Sequence, residues 1–260
     1  MKGKVLIVTG SSGIAAETIK IATEQGAKVF YISKTEASCA ALLENLQSAG
    51  QTADYVVGDL TDPLVVNHFV TQCFKKYGRI DGLFNVAGIS GRKYGDGPAH
   101  ECTDEGWNLT IDANVTTQFR MCREVLNVML AQAPDDHGLR GTILNMSSIL
   151  ALSPEPKFFN TIGYSAAKGA ILSMSRSMAA CYASSGIRVN AIAPGLASTI
   201  MSERASSNPE ILDFMKVKQP LIKTVMSAKD IAQSAMFLLS SQSKVITGET
   251  LIVDAGWSIS

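Results

Sequence analysis

The chain has 260 residues, of which 46% are hydrophobic and 18% charged, a globular balance without the bias of a disordered chain. Lys plus Arg and Asp plus Glu each number 23, so the formal charge is zero and nothing favours nucleic acid or an anionic membrane surface as a partner. No apolar run is long enough to span a bilayer, and the length suits one large α/β domain over residues 1–260.

The elements alternate between strand and helix. Val5–Thr9 is an apolar run ending at a glycine turn and reads as a buried parallel strand. Ile14–Gln25 follows as a helix with Gly26 as its C-cap, then Lys28–Ile32 as a strand and Glu36–Ala49 as a helix closed by Gly50. Tyr55–Val57 is a third strand, Asp62–Tyr77 a helix with Pro63 in its first turn, and Gly82–Asn85 a fourth strand. One long helix is expected over Glu105–Gln132, followed by a polar surface connection, Pro134–Gly141. Thr142–Met146 is the fifth strand, Ile162–Ser184 a helix and Arg188–Ile192 the sixth strand. Ala197–Lys218 reads as mobile, partly helical cover, Ala228–Leu239 as a helix and Glu249–Val253 as the last strand. Repeated βα units predict a parallel sheet covered by helices on both faces.

Cys39, Cys73, Cys102, Cys122 and Cys181 are scattered, odd in number and without a C-x-x-C pair, which reads as reduced thiols of a cytoplasmic protein. His68, His100 and His137 show no metal-ligand spacing, so no metal is expected.

The most informative stretch is Tyr164-Ser165-Ala166-Ala167-Lys168. Four residues of separation stack a phenol and an ammonium on one helix face. A cation there favours phenolate and is expected to lower the tyrosine pKa, which suits proton exchange with a substrate oxygen. The stretch follows Asn145-Met146-Ser147-Ser148, and the chain opens with a strand running into Thr9-Gly10-Ser11-Ser12-Gly13. This ordered set resembles the short-chain dehydrogenase/reductase family, and the resemblance runs from Val5 to Gly256. It implies a Rossmann-type doubly wound sheet and hydride transfer between a nicotinamide cofactor and a carbonyl or secondary alcohol.

By that resemblance Tyr164 is the acid/base and Ser148 hydrogen-bonds the substrate oxygen, with Ser147 the lesser candidate. Lys168 bonds the nicotinamide ribose and lowers the tyrosine pKa, and Asn114 holds a water leading to Lys168. The resemblance also implies a homotetramer, paired through the helices around Glu105–Gln132 and Ile162–Ser184, with no nucleic-acid or membrane partner. The enoyl-reductase branch spaces its Tyr and Lys seven apart. The residue seven before Lys168 is Thr161, so that branch is disfavoured. A regulatory or scaffold protein of the same fold is the remaining alternative.

The cofactor loop Gly10-Ser11-Ser12-Gly13-Ile14 is one residue shorter than the family pattern T-G-x-x-x-G-x-G, and Ala15 stands where a third glycine is expected. Its glycines let backbone approach a pyrophosphate at a helix N-terminus. Asp59-Leu60 resembles the adenine-binding acid, Asn85-Val86-Ala87-Gly88 the N-x-A-G motif, and Pro194-Gly195 with Thr199 the nicotinamide segment. Ser33 and Lys34 at the end of the second strand favour the 2′-phosphate of NADP(H), with NAD(H) as the alternative. Pocket residues are expected from Ile89–Pro98, Leu150–Gly163 and Leu196–Pro220. Within these, Phe158 and Phe159 read equally as pocket wall or as surface. Arg92 and Lys93 read as a solvated loop or as cations meeting an acidic substrate.

Overall fold

Seven parallel strands in the order β3-β2-β1-β4-β5-β6-β7 form one sheet in a computed structural model that describes residues 1–260. The strands are β1 (Val5–Thr9), β2 (Lys28–Ser33), β3 (Asp54–Val57), β4 (Gly82–Asn85), β5 (Gly141–Met146), β6 (Ile187–Pro194) and β7 (Thr250–Val253). Successive residues of the central strands are buried on opposite faces, so these strands read as continuous apolar runs. Leu6 and Val8 of β1 join one core cluster, while Val5 and Ile7 join the other.

The first face is covered by α1 (Ile14–Glu24), α2 (Glu36–Ser48) and α9 (Ala228–Leu239). The second is covered by α3 (Pro63–Tyr77), α5 (Thr117–Ala131) and α6 (Ile162–Tyr182). The expected α/β architecture is therefore present. The chain reverses its winding between β1 and β4, and a crevice opens there at the carboxyl ends of the strands. Thr9 at the end of β1 closes the seam: its hydroxyl oxygen accepts from the backbone N–H groups of Val86 at 2.9 Å and Ala87 at 3.0 Å.

Two expectations change. The single helix over Glu105–Gln132 is instead α4 (Asp104–Ile111), a π turn over Asp112–Thr116, and α5. The cause is a side chain competing for a ladder acceptor: the Asn114 amide donates to the Thr110 carbonyl, four residues back, at 2.8 Å. The cover Ala197–Lys218 contains α7 (Glu203–Ser206) and α8 (Pro209–Lys218). Its inner side is anchored, with Ile211 and Met215 in an apolar cluster around Trp257.

Candidate active site

A cavity of about 360 Å³ lies in the crevice. It is bounded by the loops after β1, β4, β5 and β6, and it takes in Gly10, Ser12, Gly13, Ile14, Ala87, Gly88, Ser148, Tyr164, Lys168, Pro194, Gly195 and Thr199. Most of the site residues expected from sequence thus meet in one space. Ser11, Ser33, Lys34, Asp59, Leu60, Asn85 and Asn114 do not line it.

At the inner end, β5 delivers the serine pair and α6 delivers Tyr164 and Lys168. The Ser147 hydroxyl donates to the Lys168 carbonyl at 2.8 Å, which ties the helix to the strand end; both serines border the cavity, and the Ser147 hydroxyl is the one already committed. Lys168 is buried, and its ammonium donates to the Met146 carbonyl at 3.0 Å. Burial lowers its pKa from 10.5 to about 7. Its nitrogen lies 5.4 Å from the centre of the Tyr164 ring. The expected lowering of the tyrosine pKa is not found: burial raises Tyr164 above its ordinary value, and only the Ser148 hydroxyl pulls it back down. The reason is that burial acts on both groups, and near neutrality the lysine is itself partly uncharged.

Asn114 sits behind the site. Its amide donates to the carbonyls of Ile89 at 3.0 Å and Thr110, and its oxygen accepts from the Ile89 N–H at 3.3 Å. Gly88 has no room for a side chain there, since a Cβ would lie 2.4 Å from the Asn114 oxygen. Asn85 is structural as well. Its side chain donates to Asn145 at 2.9 Å, and Asn145 donates to Ser175 of α6 at 2.9 Å.

At the cofactor end, Gly10 and Gly13 take φ of +104° and +54°, conformations that favour glycine. A Cβ on Gly13 would touch the Thr199 methyl at 3.0 Å, so the first loop packs directly on the Pro194–Thr199 segment. Ala15 is buried and would lie 3.2 Å from a Cβ on Gly10, so its methyl fills the place of the third glycine. No side chain caps α1, whereas Thr35, Asp62 and Thr103 cap the helices that follow them. The free N–H groups of its first turn suit a pyrophosphate. Glycine conformation, open helix end and cavity together fit a dinucleotide. Lys34 pairs with Asp59 at 2.7 Å. The pair raises the lysine pKa and holds the Asp59 carboxyl at about 2. Leu60 is buried in the second core cluster.

Three residues escaped the sequence reading. Asp96 is buried and accepts from two successive backbone N–H groups, Gly163 at 2.9 Å and Tyr164 at 2.8 Å, so it caps α6 from a distant loop. Its only signal was an acid among glycines after the N-x-A-G motif. Trp257 donates to the Ser153 carbonyl at 3.1 Å and packs edge-on against Phe159 and Phe214, with ring centres 5.6 and 6.3 Å apart. Phe159 is therefore pocket wall. Arg204 lines the cavity from α7 together with Arg92 and Lys93.

A family model described as enoyl-(acyl carrier protein) reductase matches residues 8–258. An A-factor type gamma-butyrolactone 1′-reductase (1S-forming) from Streptomyces virginiae is 32% identical, with 98% of this chain and 96% of the relative covered. A short-chain type dehydrogenase/reductase structure from Mycobacterium ulcerans superposes with a TM-score of 0.89 at 25% identity, covering 100% of this chain and 91% of that one. The structure of an actinorhodin polyketide ketoreductase with NADPH superposes with a TM-score of 0.86 at 27% identity, covering 99% of this chain and 98% of that one.

Proposed function

Because the chain belongs to the short-chain dehydrogenase/reductase family and is an NAD(P)-dependent oxidoreductase of alcohol or carbonyl substrates, we propose that Tyr164 is its proton donor and acceptor. One observation carries this reading: Tyr164, Ser148 and Lys168 converge on a single cavity reached by an uncapped helix end.

A bound nicotinamide supplies the hydride in reduction and accepts it in oxidation. The protein supplies position and a proton. A ketone becoming an alcohol develops negative charge on oxygen, and the Tyr164 and Ser148 hydroxyls are the donors that stabilise it. Burial keeps the Tyr164 phenol protonated at neutral pH, which favours it as the acid in carbonyl reduction. Lys168, buried beside the Tyr164 ring with its pKa drawn down to about 7, would bond the nicotinamide ribose. The cradle around Lys168 is Asn114 and Gly88. Thr161, seven residues before Lys168, offers no phenol, which disfavours an enoyl reductase here.

For the cofactor we favour NADP(H). Gly10, Ser11, Ser12, Gly13 and Ile14 would hold the pyrophosphate, and Ala87, Gly88 and Asp59 the adenosine side, with Asn85 and Leu60 supporting it from the sheet and the core. Pro194, Gly195 and Thr199 would hold the nicotinamide, and Ser33 with Lys34 the 2′-phosphate. No acidic side chain follows Ser33 directly, and the Asp59 carboxylate is neutralised by Lys34. Residues 1–260 would act as one domain. Five free thiols accord with a cytoplasmic setting.

The test is nicotinamide absorbance with a panel of ketones and secondary alcohols, for wild type and Tyr164→Phe. The expected loss of kcat in the variant is on the order of 10²–10⁴-fold with cofactor binding kept. A chain that binds cofactor and turns over nothing would instead be a regulatory or scaffold protein.

A further inference from the structure

Two arginines from distant parts of the chain meet at the rim of the cavity. Arg92 belongs to a 3₁₀ turn after β4, and Arg204 to α7. Both donate to one acceptor, the Phe158 carbonyl, at 3.3 and 3.1 Å. Neither takes part in any ion pair of the molecule. The nearby carboxylates are already engaged on backbone: Asp96 on Gly163 and Tyr164, and Glu155 on the N–H groups of Lys157 at 2.9 Å and Phe158 at 2.7 Å. A guanidinium carries five N–H donors, so one shared carbonyl leaves most of them unused. Two cations brought together with no carboxylate paired to either repel one another. The Arg92 pKa is lowered, first by burial and then by Arg204, with the Asp96 carboxylate opposing the shift in part.

We propose that the alcohol or carbonyl substrate of this site carries an anionic head group with oxygen acceptors, of the carboxylate class, which Arg92 and Arg204 hold at the rim. Such a group relieves the repulsion and offers the planar acceptor geometry that a guanidinium fork binds best. The substrate's reacting carbon then lies inward at Tyr164 and Ser148, and its body runs along the apolar wall of Ile149, Leu150, Phe159 and Trp257. An amphipathic oxo or hydroxy acid matches this order of surfaces. The inference rests on the oxidoreductase reading for the identity of the inner group, while the anion subsite stands on the arginines alone.

The probes are a graded series of aliphatic oxo-carboxylates and their methyl esters. Calorimetry measures binding to wild type, Arg92→Gln, Arg204→Gln and Arg204→Lys, and NADPH absorbance measures turnover separately. Wild type should bind the carboxylate about ten- to a hundredfold more tightly than the ester, the worth of one or two charge-assisted contacts. In either Gln variant that ratio should fall toward one, and Arg204→Lys should retain part of it. NADPH affinity should be unchanged, which separates a substrate anion from a phosphate of the cofactor. Equal binding of acid and ester by wild type overturns the proposal. So does a preference that survives both Gln variants, or a loss confined to NADPH affinity. If the preference is present and neither compound is turned over, the anion subsite stands and the oxidoreductase reading falls.

Discussion

Asp96 holds Tyr164, the proposed proton donor, through the backbone N–H groups of Gly163 and Tyr164, without reaching the cavity itself. A buried carboxylate at a helix N-terminus is favoured by the helix dipole as well as by its hydrogen bonds. Asp96→Asn keeps the size and removes the charge, and kcat should fall by about tenfold while NADPH affinity holds. A kcat equal to wild type would remove Asp96 from this role. Lys168 makes a prediction of the opposite sign for stability. Its pKa is about 7 in the folded chain against an ordinary 10.5. Between these values the unfolded chain binds a proton that the folded chain does not, so stability rises with pH across that window, and below it the full cost of burial is present. Lys168→Met should therefore be inactive yet more stable, by a few kcal/mol at about pH 6.5, with the gain shrinking toward pH 9.5. Urea unfolding at both pH values checks this, and a gain that grows with pH would contradict it. The meeting of Tyr164 and Ser148 at one cavity was readable because motif and neighbours lie within one stretch of chain. The Asp96 cap and the Lys34–Asp59 pair were not, since each joins residues that only the folded chain brings together.

At the scale of elements, the strands were located from apolar runs bounded by turns: β1 is buried on both faces and reads as an unbroken run, and β6 is buried throughout although Arg188 and Asn190 interrupt its apolar residues. It could not locate the π turn. Asp112–Thr116 carries no glycine or proline to mark a break, and the defect depends on where one asparagine amide finds its acceptors. Gly106 of α4 shows how packing overrides propensity. Alanine there would gain up to about 1 kcal/mol as a helix former. A Cβ at this position, however, would lie 2.5–2.7 Å from the backbone of Tyr94, Gly95 and Asp96. Gly106→Ala should therefore lower the melting temperature and, by shifting the Asp96 loop, also lower kcat. Unchanged stability would show that the loop yields freely. The cover after β6 divides in two. Ile211 and Met215 of α8 are buried against Trp257, while Ile200 and Met201 before α7 are exposed at the cavity. Hydrogen exchange should be fast over 199–207 and slow over α8 in the free protein, and cofactor with substrate should protect only the first part. Uniformly slow exchange would mean a fixed wall.

For the whole molecule, the outward face of α5 carries Phe119, Arg123, Asn127 and Leu130, with Phe119 at 43% and Leu130 at 42% exposure. These positions follow one helical stripe, and we expect it to pair between copies in a homotetramer. Light scattering at micromolar concentration should give four chains, and Phe119→Glu should reduce that number. A wild-type monomer would refute the assembly. The balance of charge over the same molecule has a separate effect at the cofactor site. With a formal charge of zero, the protein as a whole has little long-range pull on an anionic ligand. Any ionic-strength dependence in cofactor binding is then left to local groups, and the exposed Lys34–Asp59 pair is the one beside the end of β2. Added salt screens a lysine–phosphate contact over the ~8 Å Debye length of a physiological buffer and leaves a ribose hydroxyl almost untouched. The proposed preference for NADPH over NADH should therefore narrow as salt rises, which would make cofactor choice in this protein a property of its medium as well as of its sequence.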